Sequence, residues 1–230
     1  MVILPDQHAN VAILLFAFSS DAESKRKRIT KSQRVNKLLW KGLQAKTTRL
    51  LKEIGYDYVI FDENDQNGDN FGEKIAHAVQ SVFDFGYEKV IVIGKDCPEL
   101  SQRHISEAFH NLQTKNLVAG MDKRGGSYLI GITKNTFDRS RFSSLRWQTN
   151  ELFYDLLGIV SSNETHVIET LTDLNDISDN KFISFGNLSF DIKKLLHSLE
   201  LISLGFCYFK QPNKLNISRA FFNKGSPICI

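Results

Sequence analysis

Four consecutive β-branched residues closed by a glycine, Val90 to Gly94, constrain this chain more than any other stretch. A run that is apolar at every position has no solvent face, so it reads as a strand buried on both sides of a parallel sheet. Polar Lys95 and Asp96 follow at once, then Cys97, Pro98 and a helix N-terminus predicted at Ser101. In open α/β sheets the loops at the carboxyl ends of the strands hold the ligand, which makes Asp96 a candidate for chemistry. The competing reading is a turn or helix-capping role within D-C-P-E.

The same grammar recurs along the chain. Val11 to Phe18 reads as a first central strand and Ser19 to Thr30 as a polar loop. A helix is predicted over 31–54, with Val35, Leu38, Leu39, Leu43, Leu50, Leu51 and Ile54 on its apolar face and Gly55 as its stop. Asp57 to Phe61 is the second strand. The loop that follows, Asp62 to Asn70, carries four acidic residues but lacks the alternating ligands and terminal glutamate of a calcium loop. A helix over 71–85, the Lys89 strand, a helix over 101–113, a strand over 117–120, a turn over 122–126 and a strand over 127–133 come next. Alternation of this kind implies a mostly parallel sheet covered by helices. Beyond residue 134 the spacing predicts helices over 149–157 and 190–204 and a short strand over 166–169. His77 and His104 fall on predicted helices and read as surface residues.

With 230 residues, 42% of them hydrophobic and 24% charged, the chain has enough apolar surface for one full core. A single domain over 1–230 is expected, its core spanning about 11–176 and a C-terminal appendage about 177–230. No run is long enough to span a bilayer, and Val11 to Phe18 lacks the flanks of a signal peptide. The expected location is cytoplasmic. Cys97, Cys207 and Cys229 form no metal-like spacing and no disulfide framework. Net charge is only +3, yet eleven Lys or Arg and no acidic residue lie between Lys25 and Lys52. That stretch reads as a solvated helix face with a loop, as a polyanion or membrane surface, or as an attractor of a phosphorylated ligand. Nucleic acid is not the expected partner. The aromatic-rich tail from Gly205 to Ile230 suits docking or a homodimer contact.

Four stretches in order and spacing resemble one family: Q-N-G-D-N-F-G-E-K from Gln66, I-G-K-D-C-P-E-L from Ile93, G-G-S-Y-L-I-G from Gly125 and R-W-Q-T from Arg146. Together they are similar to the glycosyltransferase-A-like, radical-SAM/selenodomain-associated transferases, relatives of nucleotide-diphospho-sugar transferases and of nucleotidylyltransferases. The resemblance implies a three-layer α/β/α sandwich with a mostly parallel central sheet, and a nucleotide at the carboxyl edge. It implies that Asp96 acts as the catalytic aspartate and holds Mg²⁺ or Mn²⁺ against the donor diphosphate, with Asp173 and Asp176 as further metal ligands. Lys25, Arg26, Arg28, Gly68, Asp69, Glu73 and Lys95 are the implied nucleotide-binding residues. Gly125, Gly126, Trp147 and Thr149 are the implied substrate-binding ones.

Three places depart from the family pattern. Lys123 and Arg124 stand where acidic residues usually precede the glycine pair. Asn175 replaces the second aspartate of the family's D-[VI]-D-T, matched at Asp173 to Asp176, and the loop after the first strand keeps its positive charge but loses its proline and glycine. Bland readings stay open beside the implied ones: Trp147 as a packed aromatic, Gly68 to Glu73 as a helix cap. The leading expectation is transfer from a nucleotide-diphospho-sugar to an acceptor that the sequence does not identify. Its rivals are nucleotidylyl transfer on the same fold and a non-catalytic homologue that only binds nucleotide.

Overall fold

The computed structural model describes residues 10–176 together with Asp179, Lys193, Lys194 and His197. The expected helix over 190–204, the appendage and the aromatic tail therefore lie outside the described residues. Six strands form one sheet: β1 (Val11–Phe16), β2 (Tyr58–Phe61), β3 (Lys89–Ile93), β4 (Leu117–Asp122), β5 (Ser127–Thr133) and β6 (Thr165–Leu171), in the order β2-β1-β3-β5-β4-β6. β2, β1 and β3 pair in parallel, as do β4 and β6, while β5 runs antiparallel to both β3 and β4.

The uniform apolarity of β1 is explained by what covers it. Ala12, Leu14 and Phe16 face one core layer with Ile75, Val79, Val82 and Phe83 of α3 (Phe71–Asp84), Phe142 of α5 (Arg139–Ser143) and Leu152 and Leu156 of α6 (Leu152–Leu157). Val11, Ile13 and Leu15 face the other, with Leu51 of α2 (Gln33–Ile54) and Ile105 and Ala108 of α4 (Gln102–Asn111). Helices on both faces of a mostly parallel sheet make the expected three-layer sandwich. No helix among the described residues is long and apolar enough to cross a membrane.

Four expectations need correcting. The polar loop after β1 contains a helix, α1 (Ser20–Arg26). It has no apolar periodicity to betray it, and is set instead by its cap and its charges. Ser19 Oγ accepts from Ala22 N, Asp21 and Glu23 lie in the first turn and Lys25 and Arg26 in the last, the arrangement that complements a helix dipole. The second correction concerns α2, where Leu38 is 48% exposed while Asn36 and Trp40 are buried, so the helix is rotated from its apparent apolar face toward α1. Third, α5 was not expected at all; five residues capped by Asp138 are too few to show a period. Fourth, His104 is buried, not a surface residue, and its ring nitrogens meet Ser101 and Glu169.

Candidate active site

A cavity of about 680 Å³ opens at the carboxyl ends of β1, β3, β4 and β6, within the size range of small-molecule sites. The β3 strand delivers Asp96 to it, as the opening run predicts. Asp96 Oδ2 accepts from Lys27 Nζ at 2.6 Å, and its backbone carbonyl accepts from Leu174 N at 2.8 Å. The second bond ties the β3 loop to the segment after β6, which brings Asp173 beside it.

Asp173, Asp122 and Asp96 form a run of neighbouring carboxyl groups on the cavity wall. Burial, followed by the charges of Asp96 and Asp122, holds the Asp173 carboxyl well above the usual carboxylate range. Although the residue as a whole is only half-buried, its carboxyl points inward and hydrogen-bonds that of Asp122. Asp122 is itself pinned, because its Oδ1 accepts from Arg124 N at 2.5 Å and Gly126 N at 3.1 Å. A Cβ on Gly126 would collide with the Asp122 carboxylate, so the glycine pair permits this close approach of turn and acid. Glu23 of α1 is the fourth acid lining the cavity; burial, then Asp96, raises its carboxyl above the ordinary value.

This donor set suits a hard divalent cation. Adjacent carboxyls need a proton or a cation between them, and their oxygens are the ligands such ions take. Among the described residues, no three of His, Cys, Asp or Glu are grouped to hold a metal by themselves. The fit is therefore to the mode in which one or two carboxylates share the ion with water and phosphate.

The structure sorts the predicted residues. Asp96, Asp173, Arg26, Gly126, Trp147 and Thr149 line the cavity. Lys25 and Arg28 are exposed and do not line it; α1 turns them outward and presents Lys27, between them, to Asp96. Lys95 is 1% exposed and faces away from the cavity, donating to Phe18 O and to Gln44 Oε1. Burial lowers its ammonium below the ordinary lysine value, against the pull of Glu23, Asp96 and Glu63. It bolts the end of β1 to the sheet. Gly68, Asp69 and Glu73 cap α3: Glu73 Oε2 accepts from Asp69 N at 2.8 Å, and Asn70 Oδ1 accepts from Glu73 N at 2.9 Å. Gly125 sits in the turn at φ +86° with Asn150 packed against it. Asp176 is exposed and outside the cavity lining.

Trp147 is packed and also borders the cavity. Its Nε1 donates to Phe142 O at 2.8 Å and its ring packs on Phe71 and Phe142, while another part of it lines the cavity. The charge reversal at Arg124 does not reach Asp96. Arg124 pairs with Asp179 at 2.5 Å, and Asp179 also accepts from Asn175 N and Asp176 N. The guanidinium thus helps hold the strand-end segment that carries Asp173. Sequence reasoning missed Lys27, Glu23 and Asp122. Lys27 was hidden among four consecutive basic residues and Asp122 inside an apparent turn.

The fold is GT-A-like, a six-strand, mostly parallel sheet between helical layers. A putative nucleotide-diphospho-sugar transferase from Desulfovibrio desulfuricans G20 superposes with a TM-score of 0.72 at 21% identity, over 86% of this chain and 98% of that one. A homolog of Mycobacterium tuberculosis Rv0371c from Mycobacterium sp. strain JC1 aligns at 14% identity and a TM-score of 0.45, over 84% of this chain and 98% of that one. A glycosyltransferase involved in glycosylation of the major capsid of PBCV-1 aligns at 11% identity and a TM-score of 0.42, over 83% and 98%. Residues 42–149 match the family described as uncharacterized protein conserved in bacteria (DUF2064). No curated protein matches the sequence significantly.

Proposed function

We propose that this chain is a transferase that uses a nucleotide-diphospho-sugar as donor, with the donor diphosphate lying between Lys27, Arg26 and the carboxylates of Asp96 and Asp173. The observation that carries this reading is the convergence of those carboxyls and that lysine at the carboxyl edge of the sheet. Asp96 and Asp173 are the residues that would hold Mg²⁺ or Mn²⁺. Such an ion, when bound, neutralises charge on the departing diphosphate. Lys27 and Arg26 give charge-assisted hydrogen bonds to phosphate oxygens. Trp147 and Thr149 border the part of the cavity left for the sugar or its acceptor. Lys95 acts beneath, keeping the Phe18 end of β1 in place.

The test is a panel of sugar nucleotides incubated with the protein and Mn²⁺, reading both thermal stability and released nucleotide. A true donor raises the melting temperature, since a ligand of the native state stabilises it, and releases nucleoside diphosphate. Asp96→Asn then loses turnover by about 100-fold or more, the size seen when a group that stabilises developing charge is removed. Release of pyrophosphate from a nucleoside triphosphate would replace this reading with nucleotidylyl transfer. Absence of any nucleotide-induced shift, with Asp96→Asn behaving like the parent, would overturn both.

A further inference from the structure

Lys27 holds the same carboxylate that the proposed function assigns to a divalent cation. Its Nζ lies 2.6 Å from Asp96 Oδ2, and both side chains are largely shielded, at 22% and 31% exposure. The backbone that carries it is anchored from α2. Lys27 O accepts from Asn36 Nδ2 at 3.0 Å and from Trp40 Nε1 at 3.1 Å. Asn36 also donates to Ser24 O at 2.8 Å and accepts from Ile29 N at 3.0 Å, so one buried amide clamps both sides of the turn. The lysine stem therefore starts from a fixed point while its flexible four-carbon chain leaves the head free to change partner. The Trp40 ring, 5.5 Å from Nζ, offers the ammonium a second contact.

We infer that Lys27 is the resident counter-ion of Asp96, and that it yields the carboxylate to a divalent cation only when an anionic diphosphate arrives to receive the ammonium. This rests on the reading of the cavity proposed above. A cation approaching Asp96 alone meets a positive charge already seated there, and displacing Lys27 strands an ammonium in a partly buried place. A diphosphate removes both obstacles, because its oxygens accept from Lys27 and share the cation. Metal and diphosphate then bind with positive coupling, and linkage makes the coupling reciprocal. The free protein is protected from idle metal binding by its own side chain.

The experiment measures protein-bound Mn²⁺ by the loss of the free-ion electron paramagnetic resonance signal, with Mn²⁺ alone and with Mn²⁺ plus uridine diphosphate, after subtracting the loss that uridine diphosphate causes in protein-free buffer. The parent, Lys27→Met, Lys27→Arg and the double variant Lys27→Met/Asp96→Asn are compared, each after its melting temperature is checked. Lys27→Met is expected to bind Mn²⁺ alone about 10-fold or more tighter than the parent, within the range of ordinary site-to-site coupling. Lys27→Arg is expected to behave as the parent, and the double variant to lose the gain. Diphosphate is expected to strengthen Mn²⁺ binding in the parent and much less in Lys27→Met. If Lys27→Met binds Mn²⁺ no tighter than the parent, while diphosphate-dependent Mn²⁺ binding persists in both, the counter-ion role is overturned and the transferase reading stands. If no form binds Mn²⁺ with or without diphosphate, both fail.

Discussion

Lys46 is, after Lys27 and Lys95, another lysine whose charge this fold shelters. It donates to Leu100 O, and burial brings its ammonium down to about 8, opposed only by Cys97 and Glu99. A folded-state value below the unfolded one means that the native chain binds fewer protons between about pH 8 and 10.5, so stability rises with pH across that window. The penalty for keeping Lys46 charged is fully present below pH 8 and gone above 10.5. The full effect is about 3 kcal/mol at one pK unit per 1.36 kcal/mol. Lys46→Gln removes this slope: urea unfolding of parent and variant at pH 7 and pH 10 should show the parent gaining on the variant as pH rises. Parallel pH profiles would refute the assignment. At this scale the sequence was unevenly legible. Asp96 could be found because it ends a buried run, a positional rule that needs no partner. Lys27 and Asp122 could not, since each matters through a residue far away in the chain, Asp96 for Lys27 and Asp173 for Asp122; Asn36 could not, since a buried amide that clamps a nearby turn leaves no pattern in the sequence.

Elements with a period of their own were readable, and those held by caps or charges were not. β1, β3, α3 and α4 announced themselves by apolar spacing, with ends within a residue or two of the observed ones. α1 and α5 are short and polar, and exist because Ser19 and Asp138 cap them and because α2 and α3 pack against them. The α3–α5 contact shows how tight such packing is. A Cβ placed on Gly72 would collide with the Ser143 carbonyl and crowd Trp147. Gly72→Ala should therefore destabilise the protein by about 1–3 kcal/mol, the usual result of overpacking a fitted contact. Chemical denaturation measures it; an unchanged midpoint would mean that the two helices separate at little cost. Because Trp147 borders the cavity, the same variant should also weaken sugar-nucleotide binding.

Across the whole molecule, charge is distributed more tellingly than its net value suggests. The basic stretch resolves into several fates: Lys27 enters the cavity, Lys46 is half-buried, Lys37 pairs with Asp21, and Arg26 stacks 3.9 Å from the Phe18 ring at the cavity wall. Exposed Arg34, Lys41, Arg49 and Lys52 remain on the outer side of α2. If the cavity takes the diphosphate proposed for it, a positive field beside it speeds encounter with that ligand. Association of a nucleoside diphosphate, followed by stopped flow, should slow by about 10-fold between low salt and 0.3 M salt, as screening shortens the reach of that field. A salt-independent rate would leave α2 as a solvated face only. The sheet order was the least legible property at this scale. Alternation of strands and helices implies a layered sheet but says nothing about β5 inserting antiparallel between β3 and β4.

The two tryptophans of the chain have a consequence at the bench. Trp40 lies under Lys27 and Lys95, and Trp147 forms part of the cavity wall. The protein's intrinsic indole emission therefore comes from the cavity wall and from the floor under Lys27 beside it. An optical titration of the unlabelled chain reads these two neighbouring places, and Trp40→Phe or Trp147→Phe divides the signal between the lysine floor and the cavity wall.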